Sequence, residues 1–105
     1  MTIYYINEFL NNHEPTPEEV ENAKHHAKEG NPLAQYHLAL MYDIGKGVNR
    51  NPKEAEKWYK LSANQGNIDA QYFLARLYSM QNSGIRRDEK EAEQWYKKAA
   101  DGGRV

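Results

Sequence analysis

Four histidines, a Gly-Lys-Gly stretch and several carboxylates are the residues of this chain that could carry chemistry. His25 and His26 are adjacent, while His13 and His37 stand apart. Successive helix positions point about 100° apart, so neighbouring histidines share one ion poorly; a helical ligand pair needs a spacing of three or four. These histidines are therefore expected to face solvent, with His26 at the edge of the core because it aligns with Ser62 and Ala99. Gly45-Lys46-Gly47 would cradle phosphate only within a Gly-x-x-x-x-Gly-Lys-Ser/Thr run after a strand. That run is absent, and the flanks read as helices. Glu18, Glu19, Glu54 and Glu91 fall in first helical turns, where a carboxylate complements the helix dipole. Glu56 with Lys60, and Glu93 with Lys97, are i,i+4 pairs on solvated faces. No Ser-His-Asp arrangement follows from spacing, Ser62 being the one serine that reads as buried. With no cysteine in the chain, disulfides, Cys-ligated zinc and a thiol nucleophile are excluded. The expectation is a protein without catalytic residues, metal or cofactor.

Composition narrows the class further. The 105 residues suit one small domain, with 39% apolar and 28% charged residues and a formal net charge of −1. Nothing in that balance favours nucleic acid or an anionic membrane as partner. Eight of the residues are tyrosine, an amphipathic side chain common at contact surfaces. The opening MTIYYINEFLNN lacks Lys and Arg and is broken by Asn7 and Glu8, unlike a secretory signal. No stretch approaches the ~20 apolar residues of a membrane-spanning helix. The expected location is the cytoplasm, with the periplasm left open.

The elements that must position any site come from a repeat. At a shift of 36, Gly30, Asn31, Ala34, Gln35, Tyr36, Leu38, Ala39 and Tyr42 fall on Gly66, Asn67, Ala70, Gln71, Tyr72, Leu74, Ala75 and Tyr78. The second copy then gains one residue near 81–83, and Ala55, Trp58, Tyr59, Lys60 and Ala63 match Ala92, Trp95, Tyr96, Lys97 and Ala100. Each copy reads as two helices. Asn31 caps and Pro32 opens the first; Gly45 ends it; Asn51 caps and Pro52 opens the second. In the second copy Asn67 is the first cap, and Asp88 with Glu91 forms a capping box for the second helix. Ahead of these, Thr16, Pro17 and Glu19 start a half-copy in which Asn22 takes the Trp position, as suits a polar terminal cap. Ile3, Ile6 and Leu10 share the face of one more short helix. Such a pair cannot bury its apolar stripe alone, so stacking is required. The predicted fold is an all-α, α/α solenoid of stacked antiparallel helix pairs, about two full repeats plus an N-terminal half-repeat. The single domain divides into an extension (1–14), a capping helix (17–29), repeat 1 (30–65) and repeat 2 (66–102).

The stretch AEKWYKLSANQGNIDAQYFLARLY, with the Gly45-Lys46-Gly47-Val48 loop, resembles the Sel-one-like repeat (SLR) family, a relative of the tetratricopeptide repeat. The likeness covers roughly Glu18 to Gly103. It departs at Gln81-Asn82-Ser83-Gly84-Ile85 and at Ala39 and Ala75, where the family usually has Gly. The resemblance implies a non-catalytic adaptor for another protein or peptide. Bacterial members act in envelope, secretion and virulence-related assemblies, and some small ones are immunity proteins that block a toxin.

In the tetratricopeptide relatives the first helix of each pair lines a concave groove. Carried over, this makes Leu33, Tyr36, Leu40 and Asp43, then Asp69, Tyr72, Arg76 and Ser79, the partner-binding strip. The other reading of Tyr36 and Tyr72 is that they stack on each other between repeats. The chain stops at Val105 with no capping helix after the last one. Trp95, Tyr96 and Ala99 are therefore expected to be partly exposed and to dock a partner or a second copy of the chain. The alternative to an adaptor is a structural module that self-associates end to end.

Overall fold

Each helix begins where a side-chain oxygen precedes it and meets a backbone N–H three residues on. The computed structural model describes residues 14–103, and among these it holds five helices and no strand: α1 (Pro17–Lys28), α2 (Pro32–Ile44), α3 (Pro52–Asn64), α4 (Ile68–Ser79) and α5 (Glu89–Asp101). The extension expected over 1–14, with its Ile3, Ile6 and Leu10, and His13 lie outside the described residues, Glu14 excepted. Thr16, Asn31, Asn51, Asn67 and Asp88 are the five N-caps, as the sequence predicts. The full reciprocal box forms only at α1, where Thr16 and Glu19 exchange hydrogen bonds of 2.9 and 3.1 Å.

The box expected of Asp88 and Glu91 forms by half. Asp88 Oδ1 accepts from the Glu91 N–H, but the Asp88 N–H donates to the Tyr78 carbonyl at 2.8 Å. Freed from the cap, the Glu91 carboxylate accepts from Trp95 Nε1 at 3.1 Å. Asn51 likewise gives its N–H to the Tyr42 carbonyl at 2.9 Å. These bonds satisfy carbonyls that the ends of α2 and α4 would otherwise leave unpaired.

The helices pack mainly on their neighbours in sequence, α2 against α3 and α4 against α5 within pairs, with α1 on α2 and α3 on α4 joining the layers. This is the α/α solenoid expected. Ala55, Trp58, Tyr59 and Ala63 of α3 and Ala92 and Trp95 of α5 are buried in the core. The repeated glutamine has a structural task that its spacing does not reveal. Gln35 Nε2 donates to the Ala27 carbonyl and Gln71 Nε2 to the Ala63 carbonyl, both at 3.1 Å. Each ties the start of one helix pair to the last turn of the helix before it.

The two inter-helix loops solve the same problem differently. Gly45 caps α2 in the left-handed conformation, as predicted. After α4 no glycine stands there, and Met80 caps in an extended conformation. The loop that follows is held by buried Ser83, whose hydroxyl donates to the Leu77 carbonyl at 2.8 Å and accepts from the Ile85 N–H at 3.2 Å.

Candidate functional site

The first helices of the two pairs, α2 and α4, frame a trough, and the side chains that open into it are shifted from the expected strip. Leu33 (47% exposed), Asp43, Asp69, Tyr72, Arg76 and Ser79 all reach the surface. Tyr36 and Leu40 do not. Tyr36 has no exposed surface, and its ring lies 6.2 Å from that of Tyr59 and 6.0 Å from that of Phe73. Tyr72 is half-buried, with Phe73 and Tyr96 at 5.4 and 5.7 Å. Tyr36–Tyr59 and Tyr72–Tyr96 are thus equivalent pairs within their own repeats. Leu40 is buried but floors a pocket between the helices.

The face open to the trough carries Leu33, His37 and Ile44 on α2 and Asp69, Arg76 and, just past the end of α4, Met80, with Leu40 and Phe73 buried beneath them on the same sides. A spacing of four, three and four keeps each set on one side of its helix. His37, Ile44, Phe73 and Met80 were missed in the sequence. For two of them a signal was there: at a shift of 36 Ile44 falls on Met80, and both apolar side chains prove exposed, at 47% and 48%.

Polar groups at this face are organised by the second helix of each pair. The Tyr59 hydroxyl donates to Asp43 Oδ2 at 2.9 Å. At the equivalent place in the next repeat, the Tyr96 hydroxyl meets Ser79 Oγ at 3.3 Å. Burial, and secondarily the Asp43 carboxylate, push the Tyr59 hydroxyl well above its ordinary range, so it stays a donor. Tyr78 is raised too, by burial and by its 2.6 Å hydrogen bond to Glu56.

His37 is pushed below its usual value by desolvation. The unfolded chain therefore binds a proton that the folded chain resists. The stability contributed by neutral His37 is complete above about pH 6.5 and is lost as pH falls towards the folded value. Urea unfolding between pH 5 and 8 should show stability rising with pH, and His37→Gln should flatten part of that rise; an unchanged profile would contradict it.

The C-terminal face differs from expectation. Trp95 is 7% exposed and Ala99 is buried, leaving only Tyr96 partly open. The apolar stripe of α5 turns inward onto α4, and the indole N–H is bound by Glu91. Trp95 and Ala99 therefore offer no docking surface. His26 is exposed rather than at the core edge. Its ring and that of His25 each place a nitrogen 3.4 Å from a Glu29 carboxylate oxygen. Among the described residues no three His, Asp or Glu side chains gather as a metal site would require.

The trough between first helices and the repeated bonds across pairs match a known architecture. The Sel1 repeat family model covers residues 32–67 and 68–103. The chain belongs to the Sel1 repeat family. Among solved structures, a Sel1 repeat protein from Oxalobacter formigenes superposes with a TM-score of 0.78 at 36% identity, over 83% of this chain and 25% of the other. A protective antigen present in uropathogenic Escherichia coli strains, displaying an SLR fold, gives 0.81 at 32% identity, over 95% and 22%. The rat DAP3-binding cell death enhancer 1 is 40% identical over 58 residues, 55% of this chain and 11% of that protein. The Sel1 chain thus spans about a tenth of that relative and about a quarter of the solved neighbours. Sel1 repeats generally mediate protein–protein interaction and generally act as non-catalytic scaffolds.

Proposed function

We propose that this chain is a non-catalytic adaptor that binds another protein or peptide through the α2–α4 trough. The observation that carries the reading is the pair Ile44 and Met80, two large apolar side chains half exposed at equivalent places in consecutive repeats. Apolar surface that repeats in register, over a floor of buried Leu40 and Phe73, fits a partner better than it fits water. Rigid stacked helices preform the trough and so lower the ordering cost of binding. The burial of Trp95 and Ala99 favours this reading over end-to-end self-association. An immunity or chaperone-like role, covering a partner's active surface, is its narrower form.

The test is affinity capture with the wild-type chain and with Ile44→Asp/Met80→Asp. The captured partner should be lost by the double variant while its thermal melt stays close to wild type, since exposed substitutions usually cost under about 0.5 kcal/mol. A partner retained equally by both would overturn the assignment. Inhibition of that partner on binding would support the immunity form.

A further inference from the structure

At the C-terminal end of the trough, Leu40, Ile44, Phe73, Leu77 and Met80 surround a pocket of about 320 Å³ that also carries two guanidinium groups. Arg50 arrives from the loop after α2. Its Nε donates to the Asp43 carbonyl and its Nη2 to the Ser83 carbonyl, each at 3.0 Å. Both acceptors are neutral, so they fix the side chain across the two repeats without cancelling its charge. A guanidinium has five N–H donors, so most remain for another acceptor. Arg76 lies 5.5 Å over the Phe73 ring. Among the described residues neither arginine has a carboxylate within ion-pair distance. The one carboxylate lining the pocket, Asp43, accepts from the Tyr59 hydroxyl and keeps its charge, so two guanidinium groups face one carboxylate and the pocket is left net positive. Asp69 sits two helical turns from Arg76, about 10 Å along α4.

We infer that this pocket takes an extended segment of a partner protein in which a large apolar side chain is flanked by Asp or Glu. The apolar side chain lies between Ile44 and Met80, and the flanking carboxylates meet Arg50 and Arg76. Arginine and carboxylate pair through two parallel hydrogen bonds, and a guanidinium already held by backbone carbonyls loses little freedom in doing so. This rests on the adaptor reading and adds to it the chemistry of the partner.

The probe is an array of decapeptides with blocked termini, Leu or Phe at the centre, and Glu, Gln or Lys at the flanking positions. Blocking removes the terminal carboxylate as a source of charge. Fluorescence anisotropy on the full 105-residue chain should rank Glu above Gln by about tenfold, the effect of roughly 1.4 kcal/mol, with Lys weakest. The Glu advantage should shrink as salt is raised from low to physiological strength. Arg50→Gln/Arg76→Gln should abolish it. Arg76→Gln alone, at an exposed position whose guanidinium lies over the Phe73 face, should remove a part even where the double variant folds poorly. Equal binding of Glu and Gln peptides would overturn the charge inference and leave the trough reading standing. Failure of every peptide to bind, or equal binding by Ile44→Asp/Met80→Asp, would take the trough reading down with it.

Discussion

Tyr36→Ala will lower the unfolding free energy by about 3–5 kcal/mol, the range for emptying a large aromatic site in a core. For a small domain that is a large share of a total of about 5–15 kcal/mol. Tyr36 is fully buried where three helices meet: its own α2 carries His37 beside it, α3 supplies Tyr59, and α4 supplies Phe73. Tyr59 and Phe73 are themselves stacked, 6.2 Å apart at 12°. Removing the Tyr36 ring therefore opens a cavity whose walls belong to both repeats, and neither repeat can close it alone. Tyr72→Ala, at the equivalent but half-buried place, should cost clearly less. Urea unfolding of both variants, with the slope checked for two-state behaviour, decides the matter. A loss below about 1 kcal/mol for Tyr36→Ala would return this side chain to the partner-binding strip.

That contrast shows what the sequence reveals and what it conceals. The caps were legible because a cap acts within three residues: Asn31, Asn51, Asn67 and Asp88 each bond a backbone N–H that spacing alone identifies. Glu91 was misassigned because its competitor is distant in sequence. Only the fold brings the Tyr78 carbonyl to the Asp88 N–H, and the Glu91 carboxylate so released takes the Trp95 indole one turn further along its own helix. Of the eight residues expected in the partner-binding strip, six reach the surface, while Tyr36 and Leu40 are buried. A helix packed by neighbours on several sides is apolar nearly all round, so hydrophobicity does not mark its narrow open strip. A one-residue error, Tyr36 for His37 or Asp43 for Ile44, turns the side chain by about 100°. Asp43 and Ser79 were nonetheless well chosen as surface residues, and both bind a tyrosine hydroxyl of the following helix. The C-terminal face was misjudged for a related reason: aromatic content reads as exposed when the helix that buries it is assumed to be a missing one.

Gly84→Ala should destabilise the chain by about 3 kcal/mol or more, well beyond the ~1 kcal/mol expected of Gly66→Ala. Both glycines hold left-handed backbone, φ +94° and +93°, so the conformational strain of adding a Cβ is nearly the same at each. Their surroundings differ. Nothing lies within 4 Å of a Cβ at position 66, whereas a Cβ at position 84 would run into the ring of Pro52. Pro52 is the first residue of α3, and its ring cannot swing aside as a flexible side chain would. The difference between the two variants therefore isolates one contact, that of the second repeat's loop on the first repeat's second helix. Forcing it apart should also reach the trough, because the neighbouring Ser83 supplies both the carbonyl that holds Arg50 and the hydroxyl that ends α4. Gly84→Ala should thus weaken partner binding while Gly66→Ala does not, at temperatures where both remain folded. Equal losses of stability in urea for the two variants would mean that the loop does not bear on Pro52, and that the repeats keep their register by the core alone.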